Sequence, residues 1–147
     1  MKIYVTVLIS LLVLTTFGLA ACGPSENNEG EPTPPPIPTQ YANLKNPLSG
    51  QADVIAAGKS IFDTNCAPCH GPKGLGDGPA GVALDPRPAD LTDPAQNDPD
   101  GVIFYHISEG AKAGDFPDKS QMAAWQGKLT TDQIWQVISY IRTLPAK

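Results

Sequence analysis

The sequence predicts an all-α domain with a small core. Apolar residues recur at helical spacing in three separate segments, and no segment alternates apolar and polar residues with the period of two typical of a half-buried strand. Of the first 22 residues 16 are hydrophobic, but of the remaining residues only about 35% are. Because the 147-residue chain, one domain by its length, also contains 16 prolines and 14 glycines, side chains alone cannot build a large core. Something else must help to fill it.

The charge balance excludes one functional class. The chain has 10 Lys and Arg against 15 Asp and Glu, a formal net charge of −5, and no run of basic residues. Proteins that bind nucleic acids carry clustered lysines and arginines that neutralise phosphates. We therefore expect no nucleic acid among the partners of this protein.

The N-terminal segment has the pattern of a secretory signal. Lys2 supplies a positive charge, residues 3–21 contain none, and small residues precede Cys22. The final Leu-Ala-Ala-Cys resembles the bacterial lipoprotein signal, in which the cysteine becomes the first mature residue and carries the lipid. The resemblance implies a signal peptide over residues 1–21 and export to the outer face of the cytoplasmic membrane or the periplasm, with a lipid anchor at Cys22. An uncleaved transmembrane helix is the alternative, because 19 uncharged residues can just span a bilayer.

Residues 22–51 are predicted to form a tether between the anchor and a domain at 52–147. After Cys22 this segment contains seven prolines and few large apolar residues, so it cannot offset the entropy lost on ordering. We expect no regular structure there beyond polyproline II around Pro34–Pro38. The alternative is that three apolar residues of the segment lie on the domain or on a partner: Tyr41, Leu44 and Leu48.

The first helix is predicted over Asp53–Asn65. One stripe collects its apolar and small residues, and Asp53 in the first turn suits the helix dipole. The stripe comprises Val54, Ala57, Gly58, Ile61 and Phe62. From Pro68 to Asp100 the chain is rich in Gly, Pro and Asp, which predicts a long loop of the kind that usually serves a function.

Two more helices follow. A short one is predicted to open at Asp100 and close at Gly110. The last helix has the clearest signal, because Thr130 and Gln133 form a capping box and Pro145 marks its end. One face of it collects Ile134, Val137, Ile138, Ile141 and Leu144.

The chemistry of the chain is concentrated in Cys66-Ala67-Pro68-Cys69-His70. Two thiols separated by two residues, just past a helical turn, can both reach the vinyl carbons on one edge of a porphyrin and add to them as thioethers. His70, the next residue, then projects its imidazole toward the iron. The motif predicts one haem c, bound covalently through Cys66 and Cys69, with His70 as an axial ligand.

Three other interpretations of these cysteines compete with haem attachment. A structural zinc site needs four ligands, and the chain has no second cysteine pair. A thioredoxin-like dithiol needs a strand-helix-strand context, which is missing. A disulfide between Cys66 and Cys69 is possible in an exported protein, but it would leave the long loop with nothing to wrap around. Haem attachment accounts for the motif and the lean core together.

The second axial position of the iron has two candidate ligands. Met122 is the only methionine after the leader, and it lies in an irregular stretch before the last helix, where a loop can bring a thioether to the distal face. His106 is the only other histidine, but it belongs to the short helix whose apolar stripe is Ile103 and Ile107. We expect Met122 to bind the iron, with His106 or an open site as the alternatives, although a lone methionine is by default a core filler.

These features together resemble class I monohaem cytochromes c of the bacterial type, from about Ala52 to Leu144. The matching pieces are Gly58 with Phe62, Cys-Ala-Pro-Cys-His-Gly at 66–71, Gly-Leu-Gly-Asp-Gly-Pro at 74–79, Pro-Ala-Asp-Leu at 88–91, Asp100 through Gly110, Met122, and Ile134-Trp135 with Tyr140-Ile141-Arg142. The resemblance implies three to five helices around the haem, with the first and last helices crossing at Gly58, Phe62, Trp135 and Tyr140. It also implies that the Pro79 carbonyl orients His70. One departure is Ala123, where the family usually has a proline after the methionine.

The resemblance implies an electron carrier rather than an enzyme. An iron bound on both faces has no open position for a substrate, so one-electron exchange is the chemistry that remains. The expected partners are a membrane redox complex, such as a terminal oxidase or an assembly similar to alternative complex III, and a soluble electron carrier. The protein would serve as a tethered shuttle or as a subunit of a quinol-oxidising complex. A five-coordinate haem sensor or enzyme with an open distal site is the alternative.

Overall fold

The computed structural model describes residues 36–93, 98–110 and 120–146, and within these ranges it contains five helices and no strand. A single isolated bridge joins Gln126 to Leu129. The helices are α1 (Thr39–Ala42), α2 (Ala52–Asn65), α3 (Ala67–His70), α4 (Asp100–Glu109) and α5 (Thr131–Ile141). The predicted all-α fold of three to five helices is confirmed. All described residues belong to one compact unit, Pro32–Lys147.

Helices α2 and α5 pack directly against each other, because a glycine removes the side chain at their crossing. A Cβ atom on Gly58 would lie 1.9 Å from the carbonyl oxygen of Gln136, so only glycine permits this approach. One turn further along, the rings of Phe62 and Tyr140 are 5.1 Å apart. Trp135 is buried in the same core cluster as Phe62. The predicted meeting of these two helices is therefore confirmed.

The start of α5 follows its sequence signal. The Thr130 amide donates to the Gln133 side chain at 2.8 Å, and the Gln133 amide donates to Thr130 Oγ1 at 3.2 Å. This reciprocal pair is the capping box that the sequence predicts. The capping box fixes the N-terminus of α5, and the buried residues Ile134, Val137 and Ile138 follow it along the helix.

Helix α4 begins at Asp100 as predicted, but the aspartate does not cap it. Pro99 occupies the N-cap position, and no side chain accepts a hydrogen bond there. The carboxylate of Asp100 instead accepts from the Asn46 backbone amide at 3.2 Å and from Arg142 Nε at 3.0 Å. Arg142 also donates to the carbonyl of Asp98. Asp100 therefore ties the start of α4 to segments at both ends of the domain.

Residues 39–50, which we call the strap, are ordered on the domain. The strap contains α1, and its Tyr41 ring lies 5.0 Å from the Tyr105 ring and 6.2 Å from that of Phe104. The prediction of no regular structure up to residue 51 is wrong for Thr39–Ala42, which form α1, and the rest of the strap has no helix or strand. The alternative interpretation, in which apolar residues of the segment lie on the domain, holds for Tyr41 and for Leu48, which packs against the core. Leu44 stays 38% exposed.

Asn46 explains why the strap is ordered. It is buried, and its side-chain amide donates to the Trp135 carbonyl and to Ser139 Oγ, both at 2.9 Å. Its side-chain oxygen accepts from the Leu48 amide at 2.9 Å. These bonds, together with the aromatic contacts of Tyr41, offset the entropy lost on ordering a short segment.

The predicted anchor lies outside the described residues. These exclude residues 1–35, and with them Cys22 and the signal-like leader. Among the helices that the structure does describe, none combines the length and apolar character needed to cross a bilayer.

Candidate functional site

The two thiols and the imidazole lie within a single turn, with Cys66 at the N-cap of α3 and Cys69 and His70 inside it. The amides of Cys69 and His70 both donate to the Cys66 carbonyl, at 3.1 and 2.8 Å, which closes the turn around Pro68. Cys66 and Cys69 are three positions apart, so their side chains project from the same face of this turn. The sequence predicts this arrangement, and the structure contains it.

Cys66 and Cys69 are not joined by a disulfide, so that alternative interpretation of the motif does not hold in the structure. Cys66 is half-buried and packs against the core cluster. Burial, and secondarily the neighbouring Cys69, raise the pKa of Cys66 to about 11. Cys66 is therefore a protonated thiol at neutral pH, with a sulfur and a hydrogen available to add across a vinyl double bond.

His70 is held by its ring. Its Nδ1 atom lies 3.2 Å from the carbonyl oxygen of Ala89, so Nε2 is the ring nitrogen available to a metal. Burial lowers the pKa of His70, and the hydrogen bond to Ala89 opposes that shift. The imidazole is therefore neutral at pH 7, which is the form that binds iron.

The partner of His70 differs from the one that the family resemblance implies. The resemblance implies the carbonyl of Pro79 as the acceptor, but the structure pairs Nδ1 with Ala89. Pro79 lies exposed in the loop. The reason is that the Leu91 amide donates to the Gly74 carbonyl at 2.7 Å, which draws the chain around Ala89 across the imidazole.

The long loop after the motif folds back onto α3. Its backbone amides donate to carbonyls of the motif: Gly76 to His70 at 2.8 Å, Gly78 to Cys69 at 3.2 Å, and Ala80 to Pro68 at 2.9 Å. Glycines along this stretch allow the approach, since a Cβ on Gly78 would lie 2.5 Å from the Pro68 carbonyl. The expectation that this loop wraps around the site holds for its described part.

Met122 lies among apolar residues. It is half-buried and packs against the same core cluster as Cys66. Its backbone lies close to the end of α4, where a Cβ on Gly110 would be 2.6 Å from the Met122 carbonyl oxygen. A hydrogen bond of 3.0 Å from the Trp125 amide to the Ile107 carbonyl holds the two segments together. The residues just before it, 111–119, lie outside the described ranges.

His106, the alternative ligand, lies in the last turn of α4. Its ring is tilted against that of Tyr105, with 5.5 Å between the centroids. The ring of Tyr105 in turn contacts Tyr41 of the strap. His106 thus adjoins the aromatic residues on which the strap packs.

The residues present fit a covalent haem. The motif supplies two thiols and an imidazole, Met122 adds a thioether, and the described core is small, with only eight buried hydrophobic side chains. Twelve hydrophobic residues that are only partly buried pack against this core. They are Leu48, Ile61, Cys66, Ala67, Leu91, Ile103, Phe104, Met122, Trp125, Leu129, Tyr140 and Ile141.

Two residues of structural importance give no clear signal in the sequence. Ala89 acts through its carbonyl oxygen, and a backbone atom leaves no side-chain signature, although the Pro-Ala-Asp-Leu stretch around it is part of the family resemblance. Asn46 precedes a proline in a polar segment, which is also typical of a linker. Its burial depends on Trp135 and Ser139, far along the chain.

Comparison with known proteins agrees with the geometry. The sequence model of the Cytochrome c family matches residues 55–145. The chain is 28% identical to cytochrome c6 of Parathermosynechococcus lividus over 93 residues, which is 63% of this chain and 93% of that protein. It is 32% identical to cytochrome c6 of Chlorolobion braunii over 87 residues, 59% of this chain and 86% of that protein.

Two solved structures are similar as well. One is cytochrome cL from the marine methylotrophic bacterium Methylophaga aminisulfidivorans, with a TM-score of 0.50 and 26% identity over 67% of this chain. The other is a chain of the reducing HAO-like protein complex of Kuenenia stuttgartiensis, with a TM-score of 0.50 and 29% identity over 60% of this chain. This chain covers 60% of the first and 41% of the second.

Proposed function

The chain belongs to the cytochrome c family, and from that premise we propose that it is an exported, membrane-anchored member whose haem iron is bound by His70 and Met122. Members of the family are electron carriers that hold haem c covalently through cysteines. The observation that carries the proposal is the single turn of α3, which presents Cys66, Cys69 and a ring-tethered His70 together.

Cys66 and Cys69 would hold the haem as thioethers, and because each S–H bond would add across a vinyl double bond, no oxidant would be needed. The spacing on one helical turn matches two vinyl groups on one edge of the porphyrin. Haem c supplies an iron that cycles between the ferrous and ferric states. The protein supplies the ligands and the apolar surroundings that set its potential.

Met122 is proposed as the second ligand. Its place among half-buried apolar residues supports this role, as does the attachment of its backbone to the end of α4. A thioether favours the reduced iron and raises the potential. With His70 and Met122 holding the iron, the group would supply one-electron exchange and leave no position for a substrate.

The anchor is proposed at Cys22, on the evidence of the signal-like leader. Two or three acyl chains hold a protein on a membrane far more firmly than one. The strap is fixed on the domain from residue 39 onward. The tether that we propose between the anchor and the domain is therefore residues 22–38, which is shorter than the predicted 22–51. At polyproline rise these residues span at most about 50 Å. The domain then meets partners in the same membrane at high effective concentration.

The partner is proposed to be a membrane redox complex, such as a terminal oxidase or a quinol-oxidising assembly resembling alternative complex III, with a soluble carrier as the second possibility. The similarity to a chain of a multi-subunit complex supports a fixed subunit, whereas the cytochrome c6 relatives support a shuttle. Extraction in mild detergent followed by co-purification separates the two. A fixed subunit remains with its complex, and a shuttle separates from it.

A visible spectrum of the full-length protein tests the iron ligands. The proposal expects a weak long-wavelength band from sulfur ligation in the oxidised form, and slow carbon monoxide binding to the reduced form. Rapid carbon monoxide binding and no sulfur band would instead support the sensor with an open site. The proposed lipid anchor and the number of haems are tested by the intact mass of the same sample. The expected mass is that of a chain that starts at Cys22 and carries lipid and one haem.

A further inference from the structure

The strap lies on α4, and one of its residues contacts both ends of that helix. A Cβ atom on Gly101, in the first turn of α4, would lie 1.9 Å from the Tyr41 carbonyl oxygen, so the strap backbone rests directly on the helix. The hydroxyl of the same tyrosine donates to Glu109 Oε1 at 3.3 Å, and Glu109 is the last residue of α4. Tyr41 therefore spans α4 from its first turn to its end.

The ring of Tyr41 packs on α4 as well. Its centroid lies 5.0 Å from that of Tyr105, which is buried, and 6.2 Å from that of Phe104. The Phe104 ring in turn lies 4.3 Å from the ring of Trp135 in α5. The strap thus contributes to the packing that fixes α4 against the rest of the domain.

The far end of α4 holds the segment that contains the proposed second ligand. We call residues 122–126 the ligand segment. The Trp125 amide donates to the Ile107 carbonyl at 3.0 Å, and the Gln126 amide donates to the Ser108 carbonyl at 2.9 Å. Both acceptors belong to the last turn of α4. The strap and the ligand segment are therefore attached to the same turn of one helix.

We propose that the strap, acting through Tyr41 and α4, holds the ligand segment in place and so stabilises the bond between Met122 and the iron. The inference rests on the proposed role of Met122 as the second axial ligand. The strap precedes residues 55–145, which the sequence model of the family matches, so it lies outside the part of the chain that is common to the family. Tyr41 is a positioning residue, since it acts only through α4.

The effect of the strap is a shift in a local equilibrium. A segment held by few contacts can open while the rest of a domain stays folded, and the free energy of that opening depends on the contacts that hold it. Imidazole added to the ferric protein binds the iron only in the fraction of molecules in which Met122 has left it. Its apparent dissociation constant is therefore inversely proportional to that fraction. Loosening the strap should increase the fraction and lower the dissociation constant.

Two glycine substitutions that create the same obstacle at different contacts test the role of the strap. In Gly101→Ala the new Cβ meets the Tyr41 carbonyl oxygen, and in Gly58→Ala it meets the Gln136 carbonyl oxygen, each at 1.9 Å. Only the first variant displaces the strap. In the ferric holoprotein, we expect Gly101→Ala to lower the apparent dissociation constant of imidazole about tenfold and Gly58→Ala to change it less than about twofold. Equal changes in the two variants, or none in Gly101→Ala, overturn the proposal.

Tyr41→Phe provides a second test that does not depend on Gly101→Ala folding. It keeps the aromatic packing and removes only the hydrogen bond to Glu109, so we expect the dissociation constant of imidazole to fall about threefold. Lys45→Gln, at an exposed position of the strap, is the control and should leave the constant unchanged. A Tyr41→Phe protein that binds imidazole no more tightly than the unsubstituted protein contradicts the proposal.

Hydrogen exchange separates failure of this proposal from failure of the proposed ligand. The Trp125 and Gln126 amides report the attachment of the ligand segment to α4, whether or not Met122 binds the iron. We expect both amides to exchange faster in Gly101→Ala than in Gly58→Ala. If Met122 is not the ligand, the unsubstituted protein lacks the long-wavelength band of sulfur ligation, while the faster exchange still appears. If that band is present and the two variants exchange these amides equally, the role of the strap is wrong.

Discussion

The side-chain amide of Asn46 donates a hydrogen bond of 2.9 Å to the carbonyl oxygen of Trp135, joining the strap to the middle of the last helix. The same amide also reaches Ser139 Oγ. A segment that looks like a linker in the sequence is therefore part of the domain. The contact lies within the strap, which extends the folded domain to residue 39.

Substitution of Asn46 tests this contact. In Asn46→Ala the Trp135 carbonyl keeps its bond from Ser139 Oγ, but three hydrogen bonds of the asparagine side chain are lost. We expect the free energy of unfolding to fall by about 1–3 kcal/mol, the usual effect of disrupting a buried polar contact. Asn43→Ala, at an exposed position of the same strap, serves as the control and should change stability little. Chemical denaturation of the two holoproteins measures both effects, and equal stabilities would mean that the side chain of Asn46 contributes nothing to the stability of the domain.

The crossing of α2 and α5 is tested by adding one methyl group. In Gly58→Ala the new Cβ meets the Gln136 carbonyl, a backbone group that moves only if the whole helix moves. We expect a loss of about 1–3 kcal/mol, because overpacking outweighs the gain of about 1 kcal/mol in helix propensity. Ser60→Ala, on the exposed face of α2, should be nearly neutral. A Gly58→Ala protein as stable as the unsubstituted one would contradict the close approach.

The parts of the fold that the sequence predicts are those encoded locally. Helix α5 contains its own capping box and apolar stripe, and α2 contains an apolar stripe with Gly58 at its centre. About a dozen consecutive residues are therefore enough to predict each of these helices. The two thiols and the imidazole lie within five consecutive positions. In each case the signal and the structure that it produces occupy the same short stretch.

The parts that the sequence does not predict depend on partners far along the chain or on backbone atoms. Asn46 is separated from Trp135 by 89 positions, so nothing near it indicates that it will be buried. The acceptor for His70 lies 19 positions away and belongs to a loop whose path is fixed by backbone hydrogen bonds. Side-chain patterns carry no information about such paths.

Covalent attachment is tested by removing the thiols. Cys69→Ala, expressed with the haem-ligation machinery, should hold its haem by the single thioether of Cys66, so acid acetone should leave attached haem on the protein, and the absorption of the reduced form should shift to longer wavelength because one vinyl group stays unsaturated. The double variant Cys66→Ala, Cys69→Ala should lose all of it, and colour retained by that protein would contradict the attachment. His70→Ala should disrupt folding as well, since the haem forms much of the core.

The second ligand is tested by its effect on the potential. Met122→Ala should open the distal site, bind carbon monoxide readily and lower the reduction potential, while Met122→His should give a six-coordinate iron of low potential. These shifts are expected because axial ligand identity spreads haem potentials over about 0.8 V. His106→Ala should change the potential little. A large shift in His106→Ala with none in Met122→Ala would reverse the assignment.

The rate at which the protein encounters its redox partner can depend on the tether or on surface charge, and a salt series distinguishes the two. From residue 52 onward the chain has eight basic and twelve acidic residues, so its bulk charge repels an acidic docking site. Lys73 is exposed three residues after His70, and Lys112 and Lys119, which lie outside the described residues, precede Met122. If these lysines surround the exposed haem edge, electron transfer to a soluble acidic acceptor slows as salt rises, because screening acts beyond a Debye length of about 8 Å at physiological ionic strength.

The protein to use for this experiment is a chain that starts at Pro36, because a chain that starts at Ala52 would lose the strap and its bonds to α5. We expect the electron-transfer rate of the Pro36 chain to fall over a salt series, and Lys73→Gln to flatten that dependence. Lys45→Gln, at an exposed lysine of the strap, is the control and should leave the salt dependence unchanged. A rate that is flat in salt for the unsubstituted Pro36 chain would eliminate charge steering. The tether would then be the main determinant of encounter, since it confines the domain near its partner at every ionic strength.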